Sequence, residues 1–204
     1  MFSARTSVSV ISMMLFAASA LAADPKVAVI PFVNVSGEKW VELRDEVTAR
    51  VSSTFEDELS YRRVAIVPKS EITSAVAESK VDWSDEENWN KKNMYDVARK
   101  VGAKYVVFVA VTKQEQRTRQ NFLVSTPEGE VEVKVWVLDA ELEKPVINGK
   151  VFRDKARPSS WLGVAKGSDQ QKTAADRVAR SSLRDFWKLL DLTDEGRKRT
   201  RVKL

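Results

Sequence analysis

The sequence of 204 residues contains no cysteine and no histidine. Without cysteine the chain cannot form a disulfide, so its stability has to come from packing. The same absence removes the residue that carries the lipid of a bacterial lipoprotein, and we expect no lipid anchor. The lack of histidine excludes Ser-His-Asp and Cys-His catalysis and the usual zinc sites. We therefore predict no metal, no cofactor and no enzymatic activity.

Glycine is scarce as well, with 7 residues that are scattered along the chain, and none opens a helix in a phosphate-binding pattern. Acidic residues are plentiful, and pairs such as Glu42/Glu46 and Glu56/Asp57 occur at the surface of predicted helices. A glycosidase needs two carboxyl groups, one of them with a raised pKa. No acid here has an apolar setting that would raise its pKa. Hydrolysis of cell-wall or polysaccharide substrates by carboxylates alone is the alternative function.

No apolar run reaches the roughly 20 residues of a membrane span. The first 22 residues instead have the pattern of a signal peptide, with Arg5, an apolar run over residues 8–16 and small residues ending at Ala22. We expect cleavage near Ala22. The mature protein is then periplasmic or secreted and has no transmembrane span.

The remaining chain has the length of one α/β envelope domain, over residues 23–192, followed by a basic C-terminal tail over 193–204. The formal net charge is +5, and much of the excess lies in this tail. A basic end makes weak contact with anionic surfaces, or it is a solvated, frayed terminus. Export argues against nucleic acid, so the expected partner is an envelope protein or a second copy of the chain.

The first half of the domain alternates continuous apolar runs with amphipathic patterns. Such runs are typical of strands buried on both faces, which helices connect in parallel. One apolar stripe on a charged helix begins at Trp40 and ends at Leu59. The other elements are strands over residues 27–33, 64–67 and 104–112 and helices over 70–78 and 93–101.

In the second half the apolar period changes to two, which indicates antiparallel strands. Residues 131–137 alternate valine with other residues, and Pro127-Glu128-Gly129 is expected to form a turn before them. A further strand near residues 146–155 and a last helix over 173–190 follow, after a loop over 157–171. The predicted fold is an α/β single-domain sandwich, in which helices cover one mixed β-sheet: parallel in its first half, an antiparallel meander in its second.

Three segments in this order resemble a group of bacterial envelope proteins. VAVIPF at residues 27–32 resembles the first strand of the group, and ARKVGAKYVV at 98–107 its passage from a helix into a central strand. VWVLDAE at 135–141 is similar to its strand before a DAETG turn. The group comprises the curli secretion channel family (CsgG-like), the lipoprotein activators of penicillin-binding proteins and the N-terminal domain of the Tol–Pal translocation protein.

The resemblance covers about residues 26–155 and implies a non-catalytic domain that binds other envelope components. Two departures from the group are visible: there is no lipid-anchor cysteine, and Leu142-Glu143-Lys144-Pro145 stands where threonine-glycine is expected. The ribbon over residues 113–137 is too polar for the lipid-facing hairpins of the channel family. We therefore expect binding or assembly without channel formation.

Two loops combine large apolar residues with polar ones and are candidate partner-binding sites. The first carries Trp83 and Trp89 together with the acids Asp85 and Glu86, and the second carries Ser160 and Trp161. Exposed tryptophans flanked by charge are typical of protein-binding anchors. The other interpretation is that the tryptophans of both loops fold back onto the core. The predicted function is an exported, non-catalytic protein-binding or assembly domain.

Overall fold

The structure is a computed structural model that describes residues 25–62, 64–121, 124–158, 166–184 and 186–188, with the side chains of 119–121, 124 and 125 left aside. The predicted signal peptide and basic tail lie outside these residues. In chain order the elements are β1 (Lys26–Val29), β2 (Val33–Asn34), α1 (Val41–Tyr61), β3 (Ala65–Ile66), α2 (Lys69–Ser79), a 3₁₀ turn (Glu86–Asn88), α3 (Lys91–Lys100), β4 (Tyr105–Asn121), β5 (Val124–Asp139), β6 (Lys144–Ala156) and α4 (Gly167–Ser182).

The strands form one mixed sheet in the order β3-β1-β4-β5-β6, and β2 also pairs with β4. β1 is parallel to both β3 and β4, and β2 is parallel to β4. β5 is antiparallel to both of its neighbours, β4 and β6. This change from parallel to antiparallel pairing confirms the predicted fold class.

Helices cover both faces of the sheet, and the period of two along each strand decides which side chain meets which helix. Val107, Val109 and Val135 belong to the core on the side of α1 and α4. The alternate residues Val106 and Phe108 belong to a second core with α2 and α3. Because residues 105–111 of β4 are buried on both faces, this part of the strand is a continuous apolar run.

The predicted turn at Pro127-Glu128-Gly129 is wrong, because these residues lie within β5. Thr118 pairs with Pro127, and Gln116 pairs with Gly129, so β4 and β5 are longer than predicted. β6 ends at Ala156, opposite Gly129. Pro127 therefore has a partner strand on one side only, which is where a strand tolerates a residue without an N–H group.

The last helix begins earlier than predicted, at Gly167 rather than Thr173. Gly167 is buried against the side chain of Gln116, since a Cβ atom at this position would lie 2.1 Å from that side chain. A larger residue at this position would require the exposed Gln116 side chain to move. No helix in the described parts of the chain is long and apolar enough to cross a membrane.

Candidate functional site

The first predicted binding loop connects α2 to α3 and is ordered by its own polar side chains. Asp85 accepts a hydrogen bond from the Glu87 N–H at 3.0 Å and caps the 3₁₀ turn. Asn90 caps α3 by accepting from the Asn93 N–H at 3.0 Å. Short polar side chains cap helices in this way because the first N–H groups have no partner within the helix.

Trp83 and Trp89 are both buried, with 7% and 6% of their surface exposed. Their rings pack on Phe108 of β4 at centroid distances of 5.1 and 5.7 Å, and Trp89 also meets Trp136 at 5.6 Å. The Trp89 indole N–H donates to the Trp83 carbonyl at 2.8 Å. The two tryptophans thus fold back onto the core, as one of the two interpretations expects, and neither ring is an exposed anchor.

Asp85 and Glu86 remain exposed on the same loop. Glu86 forms an ion pair of 2.6 Å with Lys134 of β5, whose ammonium group also lies 5.8 Å from the centre of the Trp89 ring on the loop. This cation–π contact and the ion pair hold the loop against the sheet. Any partner contact made by this loop has to use its acidic edge, and a binding role for it stays a prediction.

The second predicted binding loop, with Ser160 and Trp161, lies outside the described residues, so its role also stays a prediction.

Sequence reasoning missed three exposed apolar residues shortly before and at the start of α1, Val35, Trp40 and Val41, which we call the exposed patch. Trp40 is 69% exposed; among the aromatic residues that the structure describes, only Tyr61 at the opposite end of the helix, at 71%, is more exposed. Trp40 is the N-cap residue, with φ −87° and ψ 101°, so it precedes the helix and falls out of phase with the stripe that begins at Leu43. The placement of Trp40 on that buried stripe is therefore wrong. The Ser36-Gly37 turn close before it was the available signal.

The distal half of the antiparallel strands carries a network of ion pairs, which we call the charged face. Acids on the middle strand β5 lie between cations on β4 and β6. The residues of the charged face are Lys113, Glu115, Arg117, Glu128, Glu130, Arg153, Lys155 and Arg157. Cross-strand pairs of opposite charge stabilise such a sheet modestly.

Glu130 is the centre of the charged face, with 1% of its side chain exposed. Burial alone would raise its pKa, but hydrogen bonds from Lys155, Arg153 and Lys113 outweigh that effect and lower the pKa to about 2. The neighbouring Glu128 also has a lowered pKa, because Arg157 donates to it at 2.6 Å against the opposing effect of burial. Both carboxylates stay ionised near neutral pH and cannot donate a proton there.

The carboxyl pairs that sequence reasoning weighed for hydrolysis lie on the surface of α1. Glu46 forms an ion pair of 2.7 Å with Lys172, and Glu56 one of 3.0 Å with Lys69. Across the residues that the structure describes, no three acidic side chains come together in a way that suits a metal ion. These acids act as ordinary helix-surface charges.

No protein-family profile matches the chain, and no curated protein sequence matches it. Among solved structures, the hypothetical protein CT253 from Chlamydia trachomatis is similar over 78% of this chain and 93% of its own, with 18% identity and a TM-score of 0.48. Lipoprotein GNA1162 from Neisseria meningitidis is similar over 78% and 98%, with 13% identity and a TM-score of 0.48. The LpoB C-terminal domain from Salmonella enterica is similar over 69% of this chain and 87% of its own, with 10% identity and a TM-score of 0.39.

These similarities are partial likenesses to proteins of bacteria and carry no argument about this chain. At identities of at most 18% and TM-scores of at most 0.48, they assign neither a family nor an activity to the chain. The resemblance to the curli channel family and the absence of a lipid anchor stay predictions.

Proposed function

We propose that this chain is an exported, non-catalytic protein-binding or assembly domain of the bacterial cell envelope. The observation that carries the proposal is the exposed patch of Val35, Trp40 and Val41 at the start of α1. Apolar surface exposed to water is unfavourable, so covering the Trp40 side chain with a partner lowers the free energy of the system. Tryptophan is also among the residues most enriched in binding hot spots.

The pKa shifts of the carboxyl groups favour binding over catalysis. Every described carboxyl group with a shifted pKa has it lowered: Asp82, Glu115, Glu128, Glu130 and Asp176. A hydrolase that works with carboxyl groups alone needs one whose pKa is raised toward neutrality. This direction of the shifts supports the binding function against the alternative of a cell-wall or polysaccharide hydrolase.

The partner is an envelope protein or a second copy of this chain. Asp85 and Glu86 are proposed as a polar contact on the loop before α3, supported by their exposure. Ser160 and Trp161 are proposed as further contacts on the basis of their sequence composition alone. Charged contacts of this kind add to the association rate and to its salt dependence more than to affinity.

The test replaces Trp40 by a photo-crosslinking amino acid in the native host and compares it with the same replacement at Tyr61. Tyr61 is the matched control because it is a 71% exposed aromatic residue at the other end of α1. We expect crosslinks at position 40 and few at position 61. In a separate co-purification without a crosslinker, the Trp40→Ala chain should retain about tenfold less of the same partner than the wild-type chain, as the loss of a hot-spot tryptophan predicts.

Mass spectrometry of the crosslinked product separates an envelope protein from a second copy of the chain. Equal crosslinking at positions 40 and 61, or unchanged capture by the Trp40→Ala protein with an unaltered circular dichroism spectrum, would contradict the proposal.

A further inference from the structure

A cleft of about 380 Å³ opens at the carboxyl end of β1, between α1 and α2. The chain leaves β1 toward α1 on one face of the sheet, and it leaves the adjacent parallel strand β3 toward α2 on the other face. Two neighbouring parallel strands whose following helices lie on opposite faces define a topological switch point. Ligands bind preferentially in the crevice that such a point creates.

The cleft joins an apolar wall to a polar one. Val29, Pro31 and Phe32 line it from the end of β1, and Ile72 lines it from α2. Phe32 is fixed by an edge-to-face contact with Phe55 at a centroid distance of 5.2 Å. A volume near the lower end of the usual range for ligand pockets suits a single large side chain or a molecule of similar size.

The hydroxyl groups on the polar wall already donate hydrogen bonds within the protein. Thr48 donates to the Arg44 carbonyl at 2.8 Å, Thr73 donates to the Lys69 carbonyl at 2.8 Å, and Ser52 donates to Glu56 at 3.1 Å. The Thr48 oxygen also accepts from the Asn34 amide at 3.0 Å, and the remaining lone pairs of the three hydroxyl oxygens can only accept from a ligand.

The charged groups of the cleft add more acceptors than donors. Asp45 and Glu56 contribute two carboxylates and Lys69 one ammonium group. Asp45 pairs at 3.3 Å with the partly exposed Arg44 beside the cleft, and Glu56 pairs at 3.0 Å with Lys69. The Lys69 side chain is 80% exposed and leaves this pair at small cost. The lining as a whole is acceptor-rich and carries a net negative charge, and it complements a cation with several N–H donors.

We propose that this cleft binds an arginine side chain presented by a partner protein. The guanidinium group offers five donors in a plane to Asp45, Glu56 and the hydroxyl oxygens. The aliphatic stem covers Pro31 and Phe32, as long basic side chains do on apolar surfaces. The lining of the cleft shares no residue with the exposed patch of Val35, Trp40 and Val41. The test uses a small-molecule probe and therefore needs no native partner.

The experiment titrates the ¹⁵N-labelled chain with N-acetyl-arginine amide, which imitates an arginine within a polypeptide, and follows amide shifts of residues lining the cleft. N-acetyl-citrulline amide has nearly the same shape without the charge, and N-acetyl-glutamate amide has the opposite charge. We expect saturable shifts with the arginine probe alone. Saturable binding of the citrulline or glutamate probe with equal or higher affinity, or no saturable shifts with any probe, would overturn the proposal.

Three variants test the assignment of the groups. Asp45→Asn and Glu56→Gln should each weaken arginine binding about tenfold, the size of one charge-assisted hydrogen bond. Asp57→Asn, an exposed carboxylate of the same helix outside the cleft, should change affinity less than twofold, a limit of roughly 0.4 kcal/mol.

Lys69→Ala should strengthen binding, because it frees Glu56 for the ligand. Weakened binding in Lys69→Ala, or an equal loss in Asp57→Asn, would refute the assigned geometry. Free arginine that binds about tenfold more tightly than the blocked probe would refute a polypeptide as the source.

Discussion

At the scale of single residues, Glu130 shows how a buried charge is retained within a sheet. Its carboxylate is almost fully covered, yet it meets three cations from two neighbouring strands, Lys113, Arg153 and Lys155. The cations themselves remain partly exposed, so each loses only part of its hydration. The desolvation of one acid is thereby offset by several charge-assisted hydrogen bonds.

We predict that Glu130→Gln lowers the free energy of unfolding near pH 7 by about 2 kcal/mol, the value typical of hydrogen bonds to a charged group. In the folded chain the pKa is about 2, below the ordinary value of 4.5. The stabilisation is therefore complete above pH 4.5 and is lost as the pH falls from there toward 2. Urea unfolding near pH 7 and about pH 3 should show the gap between wild type and variant shrinking on acidification.

Glu87, which is exposed on the loop between α2 and α3, provides the matched control for this measurement. Glu87→Gln makes the same chemical change outside the charged face, and we expect a shift within about 0.5 kcal/mol at both pH values. A gap for Glu130→Gln that is constant or grows at low pH would contradict the assigned pKa.

The tryptophans mark what composition alone can and cannot tell about a site. Trp83 and Trp89 stand among acids in the sequence, and only the contact with Phe108 and Trp136 shows that they face the sheet. Phe108 and Trp136 lie far along the chain from the two loop tryptophans, so no local sequence pattern predicts these contacts. Trp40 is the opposite case, since a shift of one residue at the helix start moves it from the stripe to the surface. Helix boundaries are the least certain part of a sequence-based assignment.

At the scale of elements, the contact between α4 and β5 depends on a residue without a side chain. A Cβ atom at Gly129 would lie 2.2 Å from the backbone nitrogen of Gln171 and 2.4 Å from the carbonyl carbon of Gln170. Both contacts are with the helix backbone, which cannot yield without moving the whole element.

We predict that Gly129→Ala destabilises the fold by at least about 2 kcal/mol, as overpacking in a tight core does. Hydrogen exchange should show faster exchange of the α4 amides in this variant. Gly37→Ala is the control: it has φ +76° but nothing within 4 Å of the added atom. Its cost is backbone strain of about 1 kcal/mol, and it should leave α4 protection unchanged. Unaltered α4 exchange in Gly129→Ala would contradict the close packing.

Most elements were predictable because their apolar periods are local properties of the chain. The stripe of α1 and the continuous run of β4 lie close to their expected positions. The extension of β4 and β5 was not predictable, since their distal residues are polar and Pro127-Glu128-Gly129 has the composition of a turn. Pairing with the neighbouring strand keeps these residues extended, and pairing is a long-range property.

At the scale of the whole molecule, the prediction concerns processing and location. We expect the mature protein to begin near Ala23, because small residues end the apolar N-terminal segment there. Intact-mass spectrometry of the periplasmic and secreted fractions measures this directly. A full-length chain that keeps Met1 and sediments with membranes would contradict both the export signal and the predicted location.

The order of the strands in the sheet has a consequence for how the chain folds. β4, β5 and β6 are neighbours both in sequence and in the sheet, so the meander closes only short loops. By contrast, β1 can pair with β4 only after a long segment of chain has been brought together, because Val27 pairs with Tyr105. We expect the meander to form early and the parallel strands to join it late, as contact order dictates. A nascent chain that stops before Tyr105 would leave β1 without its central partner and prone to aggregate.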